Sequence, residues 1–578
     1  MDEITPDLIA RMASRIYNEA PQPNGHAEGE PHVDASADTG RIAGSSPAAH
    51  YGSIPVAVKS WPHVPTTPPV TPPSVTPPMF SAPPTDFVLP GMTPPTTLPT
   101  APHSPSEPLS VPGAAVAPPT SGITSEASPS GLSTFVASVR GAHLDRDAGL
   151  DVLGHSFRER AMAAAVSPGG SSRPFDVAAI RKDFPILQQR VHGKPIAWFD
   201  NAATTQKPQE VIDAVSRFYE QDNSNIHRGA HTLAARATDA YEKAREKVQT
   251  FLGASSVKDI VFVRGTTEGI NLITQTYGRK FLQPGDEIVM SVLEHHANIV
   301  PWQMVAKEKG AVLRVIPVND RGEVMLEEYQ RLLGPKTKVV ALTHASNSLG
   351  TILPVAEMTQ MAKRYGARVL IDGAQSVAHI PVNVQQLGAD FFVFSGHKIF
   401  GPTGIGAVYI SQELQDVLPP WQGGGNMIRN VTFEETSYAE APARFEAGTP
   451  NIADAVGLGA ALDYVNRLGL PNIANYEHSL LEYATECLST VNGLRLIGTA
   501  REKVGVLSFV MPNRRTEDIG RFLDQEGIAV RAGHHCSQPS LRRFGVETTV
   551  RPSLSIYNTT GEIDRLVDAL KRIERLPG

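Results

Sequence analysis

The stretch "RVLIDGAQSVAHIPVNVQQLGADFFVFSGHK", residues 368–398, contains two short apolar runs that each end in side chains capable of chemistry. The first run ends at Asp372, and the second ends at Ser395, three residues before Lys398. Near-continuous runs of Val, Ile, Leu and Phe are typical of strands that are buried on both faces of a parallel sheet. The stretch therefore predicts two buried strands whose far ends carry polar residues.

Further runs of the same kind lie on both sides of this stretch. They are "DIVFVRG" (259–265), "EIVMSV" (287–292), "KVVALTHAS" (338–346) and "GIGAVYI" (404–410). Amphipathic segments such as "TDAYEKAREKVQTFL" (238–252) and "VAEMTQMAKRYG" (355–366) lie between or beside them. Strands that alternate with helices predict an α/β fold with a mostly parallel, doubly wound sheet. In such sheets the ligand binds beyond the carboxyl ends of the strands.

The residues just after these runs predict a binding site for pyridoxal phosphate. "RGTTEGIN" (264–271) places Thr266 and Thr267 at a helix start, where backbone N–H groups suit a phosphate, although Thr is also a common N-cap. A carboxylate such as Asp372 at the end of a buried strand is expected to face a cation. Lys398 is expected to be semi-buried, which lysine avoids unless it is paired or reactive. A cap, a salt bridge and a surface lysine could each explain one residue, whereas this cofactor explains the set.

The composition divides the chain into two unlike parts. Residues 51–120 hold 21 of the 48 prolines, in runs such as "TPPVTPPSVTPP". Proline lacks an N–H group and fixes its own φ, so this region is expected to be an extended, solvated linker. From Phe175 onward the composition is globular, and roughly 400 residues remain, enough for two packed subdomains.

Charge and cysteine content narrow the classes of function. The formal net charge is −7 and no basic tract points to nucleic acid. The acidic start "MDEITPDLIA" is unlike a secretory signal, and no run of 18 apolar residues suggests a membrane span. Two cysteines in unrelated settings do not predict a disulfide framework, and we expect a reducing cytoplasm and no metal site.

The two cysteines have different settings. Free cysteine is usually a small buried hydrophobe, and Cys487 in the helix-like "LLEYATECLST" fits that description. Cys536 lies in "RAGHHCSQPS" (531–540), where Arg531, His534 and His535 could raise the thiolate fraction. The residues alone leave open whether Cys536 is a reagent or a filler in a turn.

Six motifs together resemble one enzyme family. They are "RGTTEGIN", "EHHANIVPWQ", "DGAQ", "FSGHKIFGPTGIG", "RFEAGTPN" and "RAGHHC", and they follow the order in which cysteine desulfurases of the sulfur-mobilisation type carry them. Those enzymes are similar to class-V aminotransferases and have the fold-type I architecture. The resemblance covers about residues 174–578. It implies conversion of L-cysteine to L-alanine, with the sulfur transferred to Cys536 as a persulfide.

The resemblance also implies a role for each matched position. Lys398 would form the Schiff base with pyridoxal phosphate, and His295 would stack on its ring and assist proton transfer. The implied cofactor-binding residues are Lys398, Asp372, Gln375, His295, Thr266, Thr267, Ser395, His397 and Thr449, the last reaching the phosphate of the partner subunit in a homodimer. The implied substrate-binding and entrance residues are Asn347, Arg551, Arg531, His227 and Arg228. One departure is Ser537, where the family usually has alanine.

The resemblance divides the chain into four regions. Residues 1–172 would be a disordered, Pro-rich tail, and residues 173–195 would be the N-terminal segment of the small domain. Residues 196–440 would form the cofactor-binding large domain, and residues 441–578 the small C-terminal domain with the reactive cysteine.

The tail holds two apolar islands, "ITPDLIARMASRIYNEA" (4–20) and "GLSTFVASVRGAHLDRDAGLDVLGHSF" (131–157). In the first, Ile4, Leu8, Met12 and Ile16 have helical spacing after the Pro6 start signal. This layout resembles the cargo-loading tails of desulfurases packaged in encapsulin nanocompartments. It implies a shell protein as a partner, although a disposable extension would look similar.

Other functions remain open at this stage. Selenocysteine lyase shares the same motifs, and a housekeeping desulfurase for iron–sulfur clusters could carry a tail that does not package it. A transaminase or epimerase on the same fold would leave the cysteine motif without a purpose. A non-enzymatic scaffold would leave the cofactor residues unexplained. The acceptor of the sulfur, which could be a small protein, is not indicated.

Overall fold

The computed structural model describes residues 175–227 and 229–575. The expected Pro-rich tail, its two apolar islands and Arg228 lie outside the described residues. In the described part, apolar core clusters cover both faces of a seven-stranded sheet, and a smaller four-stranded sheet follows it in the chain.

The strands, in chain order, are β1 (Arg190–Val191), β2 (Lys194–Pro195), β3 (Ala197–Trp198), β4 (Ile260–Val263), β5 (Glu287–Ser291), β6 (Val312–Ile316), β7 (Thr337–Thr343), β8 (Arg368–Asp372), β9 (Phe391–Ser395), β10 (Gly406–Ile410), β11 (Ile428–Val431), β12 (Thr436–Tyr438), β13 (Arg495–Ile497), β14 (Ser508–Val510), β15 (Ile528–Ala529), β16 (Arg531–Gly533) and β17 (Thr549–Arg551).

The α-helices, in chain order, are α1 (Val177–Lys182), α2 (Gln209–Arg217), α3 (Thr232–Leu252), α4 (Thr266–Ile273), α5 (Arg279–Phe281), α6 (Val300–Lys309), α7 (Leu326–Leu332), α8 (Val355–Lys363), α9 (Val384–Leu387), α10 (Gln412–Gln415), α11 (Ile452–Leu468), α12 (Leu470–Ser489), α13 (Thr516–Gln525), α14 (Gln538–Arg543) and α15 (Thr560–Arg575).

The large sheet has the strand order β4-β10-β9-β8-β7-β5-β6. Strands β5 to β9 pair in parallel, and β10 runs antiparallel to both β9 and β4. Strands β4, β9 and β10 are buried along their whole length because apolar clusters cover both faces of the sheet. The expected α/β fold with a mostly parallel, doubly wound sheet is confirmed.

The strand ends set up the site. The parallel strands β7, β8 and β9 end side by side at Thr343, Asp372 and Ser395. Helix α4 begins beside them, after Gly265 at φ +150°. A Cβ at Gly265 would lie 3.0 Å from the Ser395 hydroxyl oxygen, so this close approach and this φ both favour glycine.

The small sheet has the order β13-β14-β17-β16, and all of its pairs are antiparallel. Helices α12, α13 and α15 bury their apolar faces in a separate core cluster with it. Strand β16 leads directly into the turn that contains Cys536, and β17 ends at Arg551. Two strands of one small sheet therefore deliver both residues.

The predicted division between the domains at residue 440 stays a prediction. Helix α11 packs on α3 and α2, which belong to the region expected to be the large domain. That packing favours a boundary nearer Gly469, between α11 and α12. Within the described residues, no helix is both long and apolar enough to cross a membrane.

Candidate active site

A polar cavity of about 220 Å³ lies at the carboxyl ends of β7, β8 and β9. It brings together most of the residues that the sequence singled out. These are Thr266, Thr267, His295, Asn347, Asp372, Gln375, Ser395, His397, Lys398, Arg531, Cys536 and Arg551. Residues from both sheets thus converge on one space.

Lys398 and Asp372 form the electrostatic centre of this cavity. Lys398 follows β9 in a short 3₁₀ turn, and burial lowers the pKa of its amine to about 8, against the opposing effect of Asp372. Burial likewise raises the pKa of the Asp372 carboxyl, which is only 4% exposed. Its Oδ1 accepts the Ala374 amide at 2.9 Å. Among the described residues no cationic nitrogen forms an ion pair with this carboxylate within 4 Å, and the charge of Lys398 acts on it from farther away.

Hydroxyl and backbone groups line the side of the cavity at the start of α4. The Ser395 hydroxyl oxygen accepts the Thr266 amide at 2.9 Å and lies 2.9 Å from the Thr266 hydroxyl. Thr267 is exposed at the same helix start. Burial, followed by the charges of Lys398 and Lys207, lowers the pKa of His397 to about 4. These groups are neutral donors, and together with the helix N-terminus they favour an anion.

His295 enters the cavity as a neutral imidazole. Burial, followed by the charges of Lys398, His296 and Arg551, lowers its pKa to about 3. Its Nδ1 accepts the Ala297 amide at 3.0 Å, which places the proton of the neutral ring on Nε2. Gln375 is held by donating from Nε2 to the Ala202 carbonyl at 2.6 Å.

Arg551 is a buried cation held by one carboxylate. Its Nη2 donates to Asp200 Oδ1 at 3.1 Å, and its Nη1 donates to the Asn347 carbonyl at 2.9 Å. Its Nε is buried and has no hydrogen-bond partner in the part of the chain that the structure describes. Burial lowers its pKa only to about 10, so the guanidinium stays charged at neutral pH. Arg531 lies 3.7 Å from the other oxygen of Asp200.

The turn that carries Cys536 is tied to the cavity wall. The Asn347 side chain donates from Nδ2 to the His535 carbonyl at 2.7 Å and accepts the Ser537 hydroxyl at 2.7 Å. His535 and Cys536 have φ values of +52° and +54°, in the left-handed region that non-glycine residues rarely occupy. Ser537, where the family usually has alanine, is therefore a fully buried anchor of this turn.

The cations that face Cys536 differ from those expected. Burial lowers the pKa of His535 to about 3, and its Nε2 lies 2.8 Å from the Thr549 hydroxyl oxygen, so His535 is neutral and supplies no positive charge. A thiolate at Cys536 raises the pKa of both Lys398 and Arg551. Lys398 and Arg551 are therefore cations whose charges act at the Cys536 position.

Two expected site residues lie outside the cavity. Thr449 lines a neighbouring cavity of about 480 Å³ with Arg264, Glu268 and Trp421. His227 lies 3.0 Å from a carboxylate oxygen of Glu242, on the surface. The single chain does not bring either residue to Lys398.

Asp200 is the main site residue that the sequence analysis missed. It follows the buried Phe199 in "WFDNAATT", where a carboxylate after an aromatic run gave a signal of the same kind as Asp372. The run was too short to be recognised as a strand, since β3 has only two residues.

The residues of the cavity fit pyridoxal phosphate. Within residues 175–227 and 229–575 the Asp372 carboxylate makes no ion pair, which leaves it free to pair with a protonated ring nitrogen. Gly265 leaves room at the start of α4, which a Cβ would fill, beside the hydroxyls that suit a phosphate. Lys398, with a pKa of about 8, is a competent amine for covalent attachment. His295, being neutral, can pack on a ring without adding charge.

Comparison with known proteins supports the same kind of site. The aminotransferase class-V family model matches residues 197–566. A cysteine desulfurase of Serratia proteamaculans is 51% identical over 405 residues, which is 70% of this chain and 100% of that protein. A cysteine desulfurase of Synechococcus elongatus is 63% identical over 400 residues, 69% of this chain and 64% of that protein.

The solved structure of the Escherichia coli cysteine desulfurase CsdA matches with a TM-score of 0.65 and 40% identity. The match covers 69% of this chain and 98% of CsdA, which that structure describes as an S-sulfonic acid form. The chain spans less than two thirds of the length of three relatives that are 59–63% identical to it, namely 58%, 64% and 65%.

Proposed function

This chain belongs to the cysteine desulfurases of the aminotransferase class-V family, and from that premise we propose that it converts L-cysteine to L-alanine, leaving the sulfur as a persulfide on Cys536. The observation that carries the proposal is the convergence of Lys398, Asp372 and Cys536 on one cavity, although the large sheet provides the first two and the small sheet the third.

When bound, pyridoxal phosphate supplies an electron sink that makes the substrate's sulfur transferable. Asp372 would hold the ring nitrogen, and Thr266, Thr267, Ser395 and His397 would hold the phosphate. Gln375 would hydrogen-bond the ring hydroxyl.

Arg551 would bind the substrate carboxylate through its guanidinium, with Arg531 at the entrance. Lys398 Nζ would move protons because its pKa of about 8 lets it gain and lose a proton near neutral pH. His295 would move protons through Nε2, which carries the proton of the neutral ring. Asn347 would keep the cysteine turn against this arrangement.

Cys536 would then receive the sulfur. Its thiolate Sγ forms a bond to the substrate sulfur while the substrate C–S bond breaks, and the electron pair of that bond stays with the substrate carbon. Protonation of that carbon gives alanine. The thiolate is the form that this attack needs, and Lys398 and Arg551 are the cations that face it.

The direct test of the activity is the product balance of the purified full-length protein with L-cysteine. We expect one L-alanine for each sulfur recovered as persulfide or, after reduction, as sulfide. Alanine without transferable sulfur, or release of ammonia and pyruvate in its place, would contradict the proposal. The same assay with selenocysteine distinguishes the lyase alternative.

Replacing Arg551 with Gln should raise KM for L-cysteine by about 10- to 100-fold, because charged hydrogen bonds to the substrate carboxylate are lost. We expect a smaller effect on kcat, since the carboxylate is held equally in the bound substrate and in the transition state. Steady-state kinetics of the Arg551→Gln variant check this, with Arg521→Gln on the exposed face of α13 as the matched control. An unchanged KM would remove Arg551 from the substrate site.

The proposal includes a homodimer. Thr449 would reach the phosphate bound in a second copy of the chain. Its position in the neighbouring cavity, outside the cavity that contains Lys398, supports this. His227 would act at the entrance of the site in the same way. The measurement is the mass of the protein in solution, and a fully active monomer would contradict this assignment.

We also propose that residues 1–172 direct the enzyme into an encapsulin shell in the cytoplasm. The support is the sequence pattern of two apolar islands separated by proline runs, together with alignments to relatives that cover 405 residues or fewer of the 578. Short apolar motifs on solvated linkers typically bind a partner.

Deleting residues 1–172 should leave a folded and active enzyme but abolish its packaging. Replacing Leu8, Met12 and Ile16 with Ser should weaken packaging at unchanged tail length, because each fully buried apolar side chain contributes about 1.5–3 kcal/mol. The measurement is the amount of enzyme inside shells after co-expression with an encapsulin. Equal packaging of the truncated and full-length chains would contradict the cargo role, and an insoluble truncated chain would contradict the linker interpretation.

A further inference from the structure

Two histidines that do not line the cavity contact the turn that carries Cys536. The His534 Nδ1 accepts the Cys536 amide at 3.1 Å, and the His296 Nε2 accepts the Gln538 amide at 3.3 Å. The His296 amide in turn donates to the Cys536 carbonyl at 2.9 Å. The two imidazole rings stack with centroids 5.9 Å apart and an interplanar angle of 28°.

We propose that His296 and His534 form a clamp that holds the Cys536 turn in its left-handed conformation and opens when the imidazoles become protonated. They are positioning residues for the site of the proposed function, on which this inference rests. Neither histidine needs to touch the substrate for the clamp to act.

The reason lies in the direction of the hydrogen bonds. In both bonds the ring nitrogen is the acceptor, and an imidazolium has no acceptor nitrogen. Protonation of either ring therefore breaks one bond to the turn, and protonation of both places two positive charges in a stack. The turn is expected to change conformation when these bonds break, because left-handed φ values at His535 and Cys536 are costly and persist only where surrounding contacts enforce them.

The pH dependence follows from the environment of the pair. Burial and the charge of His534 lower the pKa of His296 below its ordinary value of 6.5. His296 is thus neutral at pH 7–8, and the clamp is closed there. As the pH falls below 6.5, protonation of His296 becomes progressively more favourable in the open form, so the clamp loses stability toward acid.

Other titratable groups face the pair, and most keep their charge over this range. His295, whose ring lies 6.3 Å from that of His296, and His535 have pKa values of about 3 and stay neutral. Arg551 stays charged, with a pKa of about 10. Arg531 and Cys536 also line the cavity on this side, and the charge of Lys398, in the turn after β9, acts on His295.

Hydrogen exchange of the peptide 531–541 in the full-length holoenzyme tests the clamp without relying on turnover. After correction for the intrinsic pH dependence of exchange, protection of this peptide should fall from pH 8 to pH 5.5. His534→Ala should lower protection at pH 8 by about two- to tenfold, the range for one lost hydrogen bond. The exposed His478→Gln on α12 is the matched control and should behave as the wild type does.

The decisive variant combines His296→Gln with His534→Asn. The amide oxygens of Gln and Asn stand in for Nε2 and Nδ1 as acceptors, and neither side chain titrates. This variant should keep the protection seen at pH 8 and lose its pH dependence. Constant protection in the wild type, or a pH dependence that survives in this variant, overturns the clamp. A protein that shows the expected exchange pattern but forms no alanine supports the clamp and contradicts the proposed function.

Discussion

Replacing Lys398 with Ala is expected to abolish the visible absorption of covalently bound pyridoxal phosphate and to reduce alanine formation below detection. The proton-transfer role alone accounts for about 10²–10⁴-fold in rate. Loss of covalent attachment adds to this, because Lys398 is the amine that lines the cavity beside Asp372. Absorption spectra of the purified variant and a single-turnover alanine assay measure the two effects separately.

Lys503 supplies a matched control for this substitution. It is also a lysine in a desolvated place, where burial lowers its pKa to about 7, but it donates to the Gly498 carbonyl at 2.6 Å and does not line the cavity. The Lys503→Met variant should keep the absorption band. Full activity of Lys398→Ala, or loss of the band in both variants, would contradict the assignment of the cofactor lysine.

The strand ends of the large sheet were predictable from the sequence. Each of β7, β8 and β9 is a continuous apolar run, and the change to polar residues marks the point where the strand leaves the core. Because parallel strands end at one edge, the sequence alone places Asn347, Asp372 and Lys398 together. The resemblance to a known family then assigned Cys536, which lies about 140 residues after Lys398 in the chain.

The electrostatics around Cys536 could not be predicted in the same way. Sequence proximity suggested three cations next to the thiol, yet one of them, His535, is buried with Thr549 and is neutral. Arg551 reaches the thiol because β16 and β17 pair in the small sheet, and Lys398, which is distant in sequence, reaches it because the two sheets pack together. The charge state of a side chain depends on its burial and on the packing between the domains, and neither can be predicted from the apolar periodicity of the sequence.

The two-residue strand β3 and the left-handed turn at Cys536 could likewise not be predicted from the sequence. The two-residue strand β3 pairs in parallel with β15, and this pairing brings Asp200 beside Arg551. The left-handed residues His535 and Cys536 are not glycines, so no residue type announced the turn. The opposite holds for Thr449 and His227, because the family resemblance implies a role for each while the single chain leaves both away from the cavity.

Replacing Cys536 with Ser should leave the cofactor spectrum intact and lower the rate of alanine formation by at least about 10³-fold, the scale seen when a catalytic nucleophile is removed. A serine hydroxyl is a far weaker nucleophile than a thiolate at neutral pH. A serine side chain is only slightly smaller than that of cysteine, so the turn should keep its hydrogen bonds to the Asn347 side chain. The spectrum shows that the site is assembled, and the turnover assay isolates the sulfur-transfer step.

Cys487 makes this experiment specific, because it is the other thiol of the chain. It lies on α12, where burial raises its pKa, so it is less reactive than an ordinary thiol at pH 7. Cys487→Ser should therefore retain full turnover. Alkylation after addition of L-cysteine, followed by peptide mapping, should find the persulfide on the peptide with Cys536. Within the described residues, Cys536 is the thiol that lines the cavity, and Cys487 does not line it. Persulfide on Cys487, or unimpaired turnover in Cys536→Ser, would therefore show that the sulfur leaves the cavity by a route that does not involve Cys536.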